Sequence, residues 1–234
     1  MLYKIADVVF DVQPCYEYSL KFMADYEYDG SEKSEFTIKF DKAEIDGRLK
    51  AEQCTSPAYC ENLMIFRKIC EYLFENKRGF IFHSSAVLVN GDAVLFAAPS
   101  GVGKSTHAKF WQSVFSDVSV INDDKPIIRQ NGNKFTVYGT PWRGKRNEGS
   151  NTEATLKAIC FVERSEQNSV VKIDSAKALP LILNQTLRFA CEESYDLLFE
   201  MIADLIVSVG VYLIRVNMSN DAAITVRRAV LEDI

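Results

Sequence analysis

The stretch Ala93-Val94-Leu95-Phe96-Ala97-Ala98-Pro99-Ser100-Gly101-Val102-Gly103-Lys104-Ser105-Thr106-His107-Ala108-Lys109-Phe110-Trp111 decides how this chain is read. An apolar run enters a Gly-rich turn, and the turn opens into residues spaced like an amphipathic helix. In the order strand, loop, helix these residue types have a chemical purpose. Glycines let successive backbone N–H groups converge on phosphate oxygens, a lysine spans the outer phosphates, and the hydroxyl after it can ligate Mg²⁺ at the positive end of the new helix. Ser100, Gly101, Val102, Gly103, Lys104, Ser105 and Thr106 are therefore the expected contacts to ATP, with Ser105 also a ligand of Mg²⁺. Ala98 stands where such loops usually open with glycine, so this is a variant of the motif. The competing reading is a Gly-rich turn whose lysine faces solvent.

Around this stretch the composition is that of a folded protein. The chain has 234 residues, 47% of them hydrophobic, enough for one large domain or a domain with a small appendage. Its 27 basic and 32 acidic side chains give a net charge of −5, which argues against a general nucleic-acid binder. The 6 cysteines include no C-x-x-C pair, and only His83 and His107 could join them, so a zinc site is unsupported and the thiols are read as reduced. Charges near Met1 argue against an export signal. The most apolar stretch, Leu197 to Ile214, is interrupted by Glu200 and Asp204 and reads as a core helix running into a strand. A cytoplasmic protein without a membrane partner is expected.

Periodicity predicts an α/β chain of two parts. Residues 1–78 read as a β-rich, antiparallel region, with strands at Ile5–Val12 and Phe36–Phe40 and an extended segment at Tyr26–Tyr28, followed by a helix from Pro57 toward Gly79 and packed on the core. Residues 79–234 read as the core. It has strands at Gly79–His83, Ala86–Val89, Ala93–Ala97, Val118–Asn122, Ile127–Arg129, Lys134–Tyr138 and Leu156–Val162, with turns at Asn90-Gly91 and Asn131-Gly132. Helices are expected over Ser175–Phe189, Glu192–Val207 and Asp221–Glu232.

Phosphoryl transfer needs the phosphates held, Mg²⁺ placed and an acceptor oxygen aligned and deprotonated. Asp123 and Asp124 follow a strand directly and point to opposite sides of an extended chain, so one is expected to serve the metal or the acceptor hydroxyl while the other is structural. Read alone, Asp123-Asp124-Lys125-Pro126 is also an ordinary turn. His83 at a strand end is a candidate catalytic group. Thr140-Pro141-Trp142-Arg143-Gly144-Lys145-Arg146-Asn147 places cations in a Gly-containing loop, where Arg143, Lys145 and Arg146 can clamp phosphate or an acidic acceptor, or lie solvated.

In this order the segments His83–Val89, Pro99–His107, Asn122–Pro126 and Gly139–Lys145 resemble the HPr kinase and phosphoenolpyruvate carboxykinase superfamily, over about residues 79–216. The resemblance implies a P-loop-containing mixed β-sheet core, and a site in which Gly101, Gly103, Lys104 and Ser105 hold ATP and Mg²⁺. It implies that His83 lies near the transferred phosphate and that one of Asp123 and Asp124 is the base for a serine hydroxyl. Arg143 is expected among the catalytic residues, and Asp124 beside Ser105 at the metal. Where HPr kinases carry an acidic residue before the Arg-Gly pair, this chain has Pro141-Trp142. The expected activity is an ATP- and Mg²⁺-dependent kinase acting on a serine of a peptide or protein. Its rivals are a kinase of free serine or another small molecule, a carboxykinase-like lyase, and a nucleotide-responsive binding protein without turnover. Oligomeric state is open.

Overall fold

The computed structural model describes residues 1–187 and 195–232. The chain divides into two compact units, Met1–Gly79 and Phe80–Ile234.

In the first unit, strands β1 (Leu2–Ile5) and β2 (Val8–Gln13) form an antiparallel hairpin. Its turn places Ala6 and Asp7 in the left-handed region, at φ 49 and 60. This hairpin replaces the single strand expected over Ile5–Val12. Helix α1 (Glu17–Met23) and a 3₁₀ turn (Ala24–Tyr26) follow. Strand β3 (Phe36–Lys39) then pairs with β2 in parallel, because the intervening helix provides the crossover that a parallel pair requires. The expectation of a β-rich, antiparallel N-terminal region is therefore corrected: helices α1, α2 (Lys42–Glu52) and α3 (Pro57–Lys77) hold more of this unit than its strands.

The reasons are local for α2 and α3 and remote for α1. An Asp41/Glu44 capping box starts α2, and Ser56 caps α3 with Pro57 in its first turn. The start of α1 has no side-chain cap of its own. The fully buried carboxylate of Glu61, on α3, accepts from the backbone N–H of Cys15 at 2.5 Å, from that of Tyr16 at 3.2 Å and from the Ser19 hydroxyl at 3.1 Å. A buried carboxylate is held there by the donors it satisfies.

The second unit is a curled mixed sheet with helices, an α/β arrangement. Its strands among the described residues are β4 (Gly79–Ile81), β5 (Ser84–Val89), β6 (Asp92–Ala97), β7 (Val118–Asn122), β8 (Ile127–Asn131), β9 (Lys134–Tyr138), β10 (Glu153–Arg164), β11 (Ser169–Lys172) and β12 (Gly210–Val216). The order runs β4-β8-β9-β10-β6-β5-β7. Along one edge β10 pairs in parallel with β6, and along the other it pairs first with β9 and then with β12, which in turn carries β11. Asn90-Gly91 turns β5 into β6 and Gly132, at φ 60, turns β8 into β9.

Helix α4 (Lys104–Val114) follows β6 and packs on the sheet through Trp111, which is fully buried in a core cluster with Phe96 and Val94. Helices α5 (Ser175–Gln185), α6 (Tyr195–Ser208) and α7 (Asn220–Arg227) follow, the last continuing into a π-helical turn over Arg228–Glu232. Of the helices expected over Ser175–Phe189 and Glu192–Val207, residues 188–189 and 192–194 lie outside the described residues, as does Cys191. Cys60, Cys70 and Cys160 are buried, Cys54 is part-buried and Cys15 is exposed. Among the described residues no helix is long and apolar enough to cross a membrane.

The register gathers chemistry at one end of this sheet. Because β5 is antiparallel to β6 and to β7, Ser84 lies opposite Ala97 and Ala86 opposite Asn122. The end of β6, the start of β5 and the end of β7 are thereby side by side.

Candidate functional site

At that end a cavity of about 370 Å³ is lined by His83, Ser100, Gly101, Gly103, Lys104, Ser105, Thr106, Asp123, Asp124, Gly144, Lys145 and Arg146. Four separate stretches of sequence meet here. Gly101 and Gly103 take φ of 81 and 133, conformations open to glycine and costly for other residues. Gly103 precedes α4 with no side-chain cap, so the N–H groups of the opening turn face the loop without one.

The Lys104 ammonium is buried and donates to the carbonyl of Ala98 at 2.9 Å. Burial lowers its pKa below the usual lysine range, while Asp124 and Asp123 oppose that shift. The Ser85 hydroxyl donates to Asp123 Oδ1 at 2.5 Å and lies 3.4 Å from the Ser105 hydroxyl. Ser85 thus joins Ser105 to Asp123.

Asp124 has different neighbours. Its Oδ1 lies 3.4 Å from His83 Nε2, and its Oδ2 accepts from Lys125 Nζ. The turn that carries Asp124 is held by Asn122, whose side-chain oxygen accepts from the backbone N–H of Asp124 at 2.9 Å and of Lys125 at 2.7 Å, while the backbone N–H of Asp123 donates to the carbonyl of Glu148 at 3.2 Å. The Asn122 amide group donates to the carbonyl and hydroxyl of Thr140, each at 3.0 Å, tying the carboxylate turn to the cation-bearing loop. Burial, with the charge of Lys104 next, lowers the pKa of His83, and Asp124 opposes them. Its backbone N–H donates to the carbonyl of Gln185 at 2.8 Å.

The cation-bearing loop reaches the site unevenly. Gly144 sits at φ +70 against Asp124, where an added Cβ would meet the Asp124 Cβ at 2.9 Å, so glycine is required there. Lys145 and Arg146 line the cavity, and Arg146 donates to the carbonyl of Ser105 at 3.2 Å. Lys109 on α4 pairs with Glu148 at 3.0 Å, a second tie across the loop. Arg143 is buried beside Trp142 in the chain and is not among the residues lining the cavity, and neither is Val102, which packs against the core. His107 points away from the loop: its ring meets Phe96 edge-on at 4.8 Å, and its Nε2 accepts from the Trp111 indole at 3.1 Å.

Ser85 and Thr140 escape a reading by sequence, since each meets its partners only through the fold. Asn122 carried the one usable signal, an Asn immediately before a turn.

A family model described as SynChlorMet cassette protein ScmC matches residues 59–232. No curated protein matches the chain. Among solved structures, the Hpr(Ser) kinase/phosphatase from Coxiella burnetii is similar over 65% of this chain and 97% of that chain, with 13% sequence identity and a TM-score of 0.38.

Proposed function

The chain belongs to the ScmC family, and we propose that it is an ATP- and Mg²⁺-dependent kinase that transfers the terminal phosphate to a hydroxyl, a serine of a peptide or protein. One observation carries this reading: Lys104 and Ser105 at the start of α4 share a cavity with two differently held carboxylates, Asp123 and Asp124, and with His83. Phosphoryl transfer is chiefly positioning and charge stabilisation, and those are the roles these groups suit.

The backbone of Ser100–Gly103 and the start of α4 receive the phosphates, with Lys104 leaving the Ala98 carbonyl for the outer phosphate oxygens. The residues present fit Mg²⁺: Ser105 and Asp123 offer hard oxygen donors bridged by Ser85, and a cation that keeps several waters and binds phosphate needs few protein ligands. Bound there, Mg²⁺ would neutralise charge on the outer phosphates. This assigns the metal side to Asp123 and leaves Asp124 as the base that takes the acceptor's proton. His83 and Lys125 hold Asp124, and Gly144 allows its carboxylate the room it occupies. Lys145 and Arg146 face the same cavity and suit an acidic acceptor segment.

Calorimetric titration of the protein and of Lys104→Ala with MgATP tests the reading. The parent binds, and the variant binds at least about tenfold more weakly while keeping its melting temperature, since one charge-assisted contact to phosphate is lost. Equal affinity in the two proteins would remove the phosphate-loop assignment.

A further inference from the structure

We propose that Arg164 is a positioning residue that fixes the Gly-rich loop in the shape its backbone needs to receive phosphate, an inference that rests on the nucleotide reading above. Arg164 ends β10, whose parallel register with β6 carries it past Ala97 to the side of the loop. Its Nε donates to the carbonyl of Val102 at 2.8 Å and its Nη2 to that of Gly101 at 2.7 Å. One planar guanidinium therefore takes two consecutive carbonyls at the short distances of charge-assisted bonds.

The consequence follows from peptide geometry. The chain has no cis peptide bonds among its described residues, and a trans peptide unit carries its C=O and N–H on opposite sides. Drawing the Gly101 carbonyl toward Arg164 turns the Val102 N–H away from it, and that N–H closes the loop by donating to the carbonyl of Pro99 at 3.3 Å. Drawing the Val102 carbonyl the same way turns the Gly103 N–H away from Arg164, and Gly103 lines the cavity. Arg164 thus acts through the loop and not as a group that touches the reacting atoms. A lysine would keep the charge and lose the fork, because its ammonium is a point charge that cannot hold two carbonyls in fixed directions.

The test compares the full chain with Arg164→Ala and Arg164→Lys by hydrogen–deuterium exchange without nucleotide and by calorimetry with MgATP. In Arg164→Ala the amides of residues 101–104 exchange faster, the melting temperature stays within about 2 °C of the parent as for an exposed substitution, and Kd for MgATP rises about tenfold through loss of the oriented loop. Arg164→Lys stays within about threefold of the alanine variant. Parent-like affinity and exchange in Arg164→Ala overturn the proposal, and so does parent-like affinity in Arg164→Lys, which would reduce the effect to charge. A parent protein that fails to bind MgATP overturns the nucleotide reading and the role of Arg164 with it, whereas failure of the brace alone leaves binding by the parent intact.

Discussion

Adjacent carboxylates rarely share a task, and Asp123 and Asp124 are parted by their partners. Asp123 is bonded to Ser85 beside Ser105, while Asp124 meets His83 and Lys125. On this division, Asp123→Asn raises the Mg²⁺ concentration needed for half-maximal turnover. Asp124→Asn instead leaves ATP affinity unchanged and lowers kcat by about 10²–10⁴, the usual range for loss of a general base. Steady-state kinetics with Mg²⁺ titrated at saturating ATP separates the two, and parent-like kcat in Asp124→Asn would move the base elsewhere. The sequence expects the pair to face opposite ways as neighbours on an extended chain do, but Asp123 and Asp124 lie in a bend after β7 and both line the cavity, so their partners and not strand alternation set them apart. Those partners are not legible, since Ser85 lies 38 residues away and reaches Asp123 only through the pairing of β5 with β7.

At the scale of elements, α4 combines a site at its start with a core anchor one turn later. His107 is 2% exposed, and burial pushes its pKa from the usual 6.5 down to about 4. The unfolded chain takes up a proton at this residue that the folded chain refuses, so its contribution to stability is fully present above about pH 6.5 and is lost as pH falls toward 4. The loss is on the order of 3 kcal/mol. Denaturant unfolding at pH 7 and pH 4.5 measures it, and His107→Gln, which keeps an acceptor for the Trp111 indole, flattens the difference. An equal pH dependence in parent and variant would assign the effect to other groups. Legibility varies with where the organising contact lies. Helix α3 declares itself through Ser56, Pro57 and apolar spacing, whereas α2 buries Ile45 on a largely polar surface and offers no stripe to read. Helix α1 starts on a carboxylate supplied from α3, a contact no local window contains.

Over the whole molecule, the succession of β6, Gly-rich loop and α4 is legible because its signals are local and ordered. The sheet order is not. β10 serves three neighbouring strands, and nothing in its apolar run announces that β6 lies on one edge while β9 and β12 divide the other. The site depends on that arrangement, since Ser85 on β5, Lys104 at the start of α4 and Asp123 in the turn after β7 meet where the strand ends align. The most direct measurement of the central claim is transfer itself. The protein is incubated with γ-labelled ATP, Mg²⁺, a library of serine-containing peptides and free serine, in parallel with Lys104→Ala. Label appears on serine hydroxyls of peptides with the parent protein and none appears with the variant. Label on free serine alone would contradict the peptide acceptor, and the absence of any Lys104-dependent transfer or ATP consumption would contradict the kinase.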